Sequence, residues 1–203
     1  MGKKKTISKH STKSSPAFLE GYRHLFTAER IIIGGTLLAI LGIMGGIAFN
    51  SWQSRIVDIE GVERTFVQGG HQETVSYSND ELPPAGGIHH PTWQNCGVYD
   101  TPLETEFVLH SLEHGAIWIA YRPDLPLEQI ERLQEITQDG SHRLLAPYSG
   151  LESPIVLSAW GYQLQLTSAD DSRLADFIRN YEKRGQAPEP SALCSGGVGQ
   201  PSR

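Results

Sequence analysis

The chain has few of the residues that build soft-metal and nucleotide sites. Its 203 residues include two cysteines and two methionines, and the methionines are Met1 and Met44. Because Cu(I) prefers thioether and thiolate ligands, a methionine-rich copper(I) site in the later part of the chain is excluded. The sequence also lacks a glycine-rich phosphate loop, a dinucleotide-binding fingerprint and a nucleophile elbow. Nothing therefore points to nucleotide-dependent or serine hydrolase chemistry.

Charge is absent from residues 31–49, which read IIIGGTLLAILGIMGGIAF. At about 1.5 Å per residue, a helix of this length matches a hydrocarbon core of about 30 Å. A cleaved signal peptide is disfavoured because the apolar run is long, a long tail precedes it, and no A-x-A-like site follows it. A buried core helix is disfavoured because the segment has no polar face. The sequence therefore predicts an uncleaved transmembrane helix.

Basic residues are scarce after this segment. Ten Lys and Arg against twenty-one Asp and Glu follow Phe49, whereas seven basic and two acidic residues precede Ile31. The basic flank predicts a cytoplasmic N-terminus, and the acidic remainder argues against nucleic acid as a partner. We expect a single-pass protein of the cell membrane. Its parts would be a cytoplasmic tail (1–30), a transmembrane helix (31–49), a stalk (50–70) and an extracytoplasmic domain (71–203).

Helical and strand patterns alternate in the outer part. A helix over 101–114 is expected because Thr101, Pro102 and Glu104 resemble a capping box, although residues 107–109 also suit a strand. Together these patterns predict an α+β domain with a mainly antiparallel sheet and helices on one face. The other expected strands are 61–67, 116–121, 142–148 and 154–166, and the other expected helices are 127–137 and 170–184.

Histidine is concentrated in the outer domain, and imidazole is the commonest metal ligand in proteins. His110 and His114 lie in the segment HSLEH. In a helix they would share one face and could bind one ion, but in a strand they would lie about 13 Å apart. HSLEH also matches the H-x-x-E-H pattern of some zinc proteases, with Glu113 as the catalytic residue. A third interpretation is that these rings only form hydrogen bonds within the loops.

Cys96 and Cys194 are the only cysteines, and both follow the transmembrane segment. In an oxidising compartment such a pair is most simply a disulfide. The alternative is that Cys96 is a metal ligand.

The outer part resembles a bacterial family named only as domain of unknown function 3105. The resemblance rests on PPAGGIHHPTWQNCGVYD at 83–100, HSLEHGAIWIAYRPDLP at 110–126, PIVLSAWG at 154–161 and PEPSALCSGGVG at 188–199. It implies an α+β extracytoplasmic domain, in which His90 is an addition found in a subset of members. The histidines that recur in the family correspond to His71, His89, His110 and His114.

Crowding, helical spacing and this recurrence together lead to the hypothesis that His71, His89, His110 and His114 bind one zinc or copper(II) ion. The sequence favours a non-enzymatic, membrane-anchored binding domain, which could be an accessory subunit of a membrane complex. The alternative is a zinc-dependent hydrolase that uses HSLEH.

Overall fold

The computed structural model describes residues 28–53, 58–78 and 81–203. They belong to two compact units, Met1–Arg55 and Ile56–Arg203. In the first unit, helix α1 covers Ala28–Gln53. Its segment Arg30–Ile47 is long and apolar enough to cross a membrane, and none of it is buried against protein. Most of the predicted cytoplasmic tail, residues 1–27, lies outside the described residues.

The second unit is built on a six-stranded mixed sheet with the strand order β1-β8-β7-β5-β6-β4. Three of its five pairings are antiparallel, whereas β5–β6 and β6–β4 are parallel. The α+β class is thus confirmed. The strands are β1 (Val62–Arg64), β4 (Gly97–Val98), β5 (Ile117–Tyr121), β6 (Arg143–Pro147), β7 (Ile155–Ala159) and β8 (Tyr162–Leu166).

Helices cover both faces of this sheet, so the expectation of helices on one face is wrong. Helices α3 (Leu127–Gln138) and α4 (Ser172–Tyr181) share a core with Ile117 and Ile119 of β5. Helix α2 (Thr105–Glu113) packs in a second core with Trp118 and Ala120. Because successive strand residues point to opposite faces, the wholly apolar β5 is buried from both sides.

Helix α2 begins three residues later than the capping-box pattern predicts, since that pattern places the N-cap at Thr101. Glu104 occupies the N-cap position in an extended conformation, without a side-chain capping bond. Residues 101–104 precede the helix in non-helical structure, and Leu103 is buried in the second core. The helical alternative for HSLEH is nevertheless confirmed. The helix ends at Glu113, one residue earlier than expected, and Gly115 follows the C-cap as predicted. Its φ of +86° suits glycine, and a Cβ there would lie 2.9 Å from the Cα of Lys183.

The expected stalk is partly integrated into the globular unit. Strand β1 lies within it and pairs with β8, and Ile59 is buried in the first core. A separate ribbon follows, in which β2 (Gly70–His71) runs parallel to β3 (Ile88–His89). Each strand of this ribbon has only two residues, so no alternating apolar pattern in the sequence indicates it.

Candidate metal centre

Four titratable side chains converge beside the two-stranded ribbon. One potential ligand atom from each of them lies within 4.8 Å of the others. Two of the residues come from the ribbon and two from α2. The four are His71, His89, His110 and Glu113.

The ribbon register brings its two histidines together. His71 lies directly opposite His89 in the parallel pairing of β2 with β3. Their ring centroids are 4.8 Å apart, and the rings meet edge to face. A loop of 16 residues separates the two strands, so this contact depends on the folded path of the loop.

Helix α2 supplies the other two groups from one face. His110 and Glu113 are three residues apart, which places their side chains on neighbouring turns. The His110 ring lies 4.8 Å from that of His71 and 5.0 Å from that of His89. Both α2 residues are buried, so their polar atoms need partners within the protein.

Backbone carbonyls fix the orientation of the two buried rings. Nδ1 of His89 is 2.8 Å from the carbonyl oxygen of Gly87, and Nδ1 of His110 is 2.8 Å from that of His90. A carbonyl oxygen only accepts hydrogen bonds, so each Nδ1 donates its proton. The Nε2 lone pairs of both neutral rings are then available for an ion, and this is the usual arrangement of metal-bound histidines.

Glu113 brings negative charge to the same point. Its Oε2 atom lies 3.1 Å from Nε2 of His89 and 3.3 Å from Nε2 of His71. A neutral imidazole has one N–H, yet His89 faces an oxygen acceptor at each nitrogen. The contact between His89 Nε2 and Glu113 therefore requires a cation, either an additional proton or a metal ion. Two ligand atoms that each lie about 2.0–2.1 Å from a tetrahedral ion are about 3.3 Å from one another. The distances of Glu113 Oε2 from the two histidine nitrogens therefore suit a shared metal ion.

The protonation states also suit metal binding. Burial, together with a smaller effect of the neighbouring histidines, lowers the pKa of His110 to about 4, against the opposing effect of its bond to the His90 carbonyl. The close polar contact of its carboxylate with His89 lowers the pKa of Glu113, against the opposing effect of burial. At neutral pH, His110 is therefore neutral and Glu113 ionised, which are the states in which both bind metal ions.

A family comparison covers this whole cluster. The family model described as "Protein of unknown function (DUF3105)" matches residues 70–196. The chain belongs to this family. The matched region of the DUF3105 chain contains all four converging side chains and both cysteines. No curated protein and no solved structure matches the chain.

His114 of this DUF3105 chain differs from the prediction. Its Nδ1 lies 2.8 Å from the carbonyl oxygen of Leu193, and its Nε2 lies 3.8 Å from Glu189. The ring meets that of His110 edge to face and packs against Trp93, but it is not part of the converging set. His71, His89 and His110 are thus brought together as expected, whereas Glu113 takes the place of His114. Helix α2 ends at Glu113, and His114 faces the C-terminal tail instead.

The protease-like interpretation of HSLEH does not match this arrangement. In that pattern both histidines bind zinc and the glutamate activates a water. Here Glu113 lies in the converging set and His114 lies outside it. Sequence reasoning named Glu113 only as a catalytic alternative. The spacing of three residues between His110 and Glu113 could have predicted that Glu113 is also a ligand, because residues with this spacing share a helix face.

The C-terminal tail is joined to the loop that carries the site. The Cα atoms of Cys96 and Cys194 are 5.3 Å apart, with the sulfur atoms in bonding contact. The amide of Cys96 also donates to the carbonyl of Cys194. This geometry fits the predicted disulfide and leaves no place for Cys96 as a metal ligand.

Two other histidines have separate structural partners. His90 receives a hydrogen bond at Nδ1 from the amide of Thr92, and its Nε2 is 3.4 Å from Glu73. His142 contacts Ser141 and the carbonyl of Ala192. Both nitrogens of each ring are thus engaged outside the cluster, which makes these residues suitable controls for metal binding.

Proposed function

We propose that this protein is a membrane-anchored domain that binds one divalent metal ion through His71, His89, His110 and Glu113. The observation that carries the proposal is the convergence of Nε2 of His71 and Nε2 of His89 on Oε2 of the buried Glu113, with the Nδ1 proton of His89 donated to a backbone carbonyl. An ion at that point would neutralise Glu113 and satisfy the Nε2 lone pairs together. Hydrogen bonds within the cluster cannot do so with neutral rings.

The donor set favours zinc, with copper(II) as the second candidate. Three nitrogens and one carboxylate oxygen suit either ion, and no sulfur is present to favour a softer one. Four protein ligands would close a tetrahedral zinc site, whereas a hydrolytic site keeps an open position. With Glu113 used as a ligand, HSLEH also offers no separate base. A binding role is therefore better supported than hydrolysis.

The N-terminal part supports a location at a membrane. Helix α1 has the length and composition of a membrane span, and the basic residues precede it. The DUF3105 domain would then be held on the outer side, where the Cys96–Cys194 pair can oxidise. Such an anchored metal-binding domain could serve as an accessory subunit of a membrane complex.

Metal analysis of the purified full chain in detergent tests the proposal. After loading with zinc and dialysis, we expect one ion per wild-type chain and none in His89→Ala. The control His142→Ala removes a buried histidine that contacts the tail, and it should retain the ion. A wild-type chain without stoichiometric zinc or copper would refute the metal-binding function.

A further inference from the structure

The four candidate ligands differ in their access to solvent. The side chain of His71 is 48% exposed, whereas that of His89 is fully buried and that of Glu113 is 11% exposed. His110 is also buried. An ion or an incoming ligand therefore reaches the cluster from the side on which His71 lies.

The same residue has the weakest support around its ring. His89 and His110 each donate Nδ1–H to a backbone carbonyl, which fixes the ring and its tautomer. Among the residues that the structure describes, the His71 ring contacts Glu113, His89 and His110 but has no such carbonyl partner. Its position is set by the cluster itself.

The backbone that carries His71 is also lightly held. Strand β2 has two residues, both exposed, and pairs only with β3. Next to it, Gln72 donates to the carbonyl of His89. Because a short, solvent-facing strand opens at lower cost than the core, His71 can move away while the buried ligands stay in place.

We propose that His71 is a displaceable ligand and that an external imidazole-type nitrogen donor replaces it on the ion. This inference rests on the proposed function and adds to it the binding of an external ligand: the bond from the ion to His71 breaks as the bond to the incoming nitrogen forms. His89, His110 and Glu113 hold the ion during the exchange, and the incoming nitrogen takes the position that His71 vacates. The fitting partner is a protein or small molecule that presents an accessible imidazole.

The experiment uses the full chain in detergent, loaded with cobalt(II) as a spectroscopic substitute for zinc. We compare wild type, His71→Ala, His89→Ala and the control His90→Ala for cobalt content and for visible spectra during titration with free imidazole. His71→Ala should retain one ion, with affinity weaker by at least about tenfold, since even the loss of an outer-shell partner typically costs about 10–100-fold. Its spectrum should shift as imidazole fills the vacated position. His90→Ala should match the wild type.

The outcomes separate this inference from the proposed function. If His71→Ala loses its cobalt as completely as His89→Ala does, His71 is not a displaceable ligand. The proposed metal-binding function would still stand in that case, provided that the wild type binds cobalt. A spectrum of His71→Ala that imidazole does not change would also overturn the role of His71 as a displaceable ligand. If the wild type binds no cobalt, zinc or copper, both proposals fail. Circular dichroism checks that each variant is folded, which we expect for His71→Ala because the side chain is half exposed.

Discussion

At the residue scale, the site depends on which side of α2 each HSLEH residue faces. His110 and Glu113 point to the ribbon, whereas His114, at the helix end, is bonded to the carbonyl of Leu193. Periodicity alone placed His110 and His114 together, and their rings do lie 4.6 Å apart. Whether His114 or Glu113 joins the cluster depends on the contact of His114 with Leu193, which is 79 residues away in the sequence. The local spacing of the histidines gives no information about that contact.

The first prediction separates these two residues. Glu113→Gln should abolish stable zinc binding because it removes the only anionic ligand of the cluster. His114→Ala should keep one ion per chain, although losing its bond to the tail should lower stability by about 1 kcal/mol. Zinc content and thermal melting of both variants provide the measurement. A metal-free His114→Ala together with a loaded Glu113→Gln would restore the four-histidine site.

The second prediction concerns acid. His110 has a pKa of about 4 in the folded chain and about 6.5 when unfolded, so between these values the unfolded state binds more protons. The metal-free protein should therefore lose stability as pH falls from about 6.5 to 4, by up to about 1.4 kcal/mol per pH unit from this group. The lowered pKa of Glu113 acts in the same direction at lower pH.

Denaturant unfolding of metal-free protein at several pH values measures this slope. His110→Gln should flatten the dependence between pH 6.5 and 4, because it removes the titrating ring. His90→Gln, which removes a histidine outside the cluster, is the matched control. An equal slope in wild type and His110→Gln would show that burial of His110 is not its cause.

At the element scale, the sequence predicted the long segments that have a regular apolar pattern, but not the short ribbon that carries two of the candidate ligands. Strand β5, helix α3 and helix α4 follow their apolar patterns closely. The ribbon β2–β3 has only four residues, so it leaves no period to detect. The sequence also did not predict on which face of the sheet each helix packs. An amphipathic pattern shows that a helix packs on a sheet but not on which side.

The tail gives the third prediction. Mass spectrometry of unreduced protein should show the Cys96 and Cys194 peptides linked. The bond closes a loop with a sequence separation of 98, so Cys194→Ser should lower stability by about 2–5 kcal/mol. Two free thiols in protein from its native envelope would contradict the prediction.

At the scale of the whole molecule, the distribution of charge along the chain and the length of its apolar segment predict a membrane topology. The fourth prediction is that a reporter fused after Arg203 is active only outside the cytoplasm. The basic residues before α1 predict that the N-terminus stays inside and that the acidic remainder lies outside. A matched fusion at the N-terminus should show the opposite behaviour. Cytoplasmic activity of the C-terminal fusion would reverse the arrangement.

The metal centre is the central claim, and X-ray absorption at the zinc edge of the loaded full chain tests it most directly. The largest separation in the cluster, 4.8 Å, exceeds the spacing of about 3.3 Å in a tetrahedral zinc site, so the ion should draw the side chains together. We predict four nitrogen or oxygen neighbours at about 2.0–2.1 Å, outer-shell scattering from three imidazoles, and no sulfur. A sulfur neighbour, or a shell made only of oxygens without imidazole scattering, would contradict the site formed by His71, His89, His110 and Glu113.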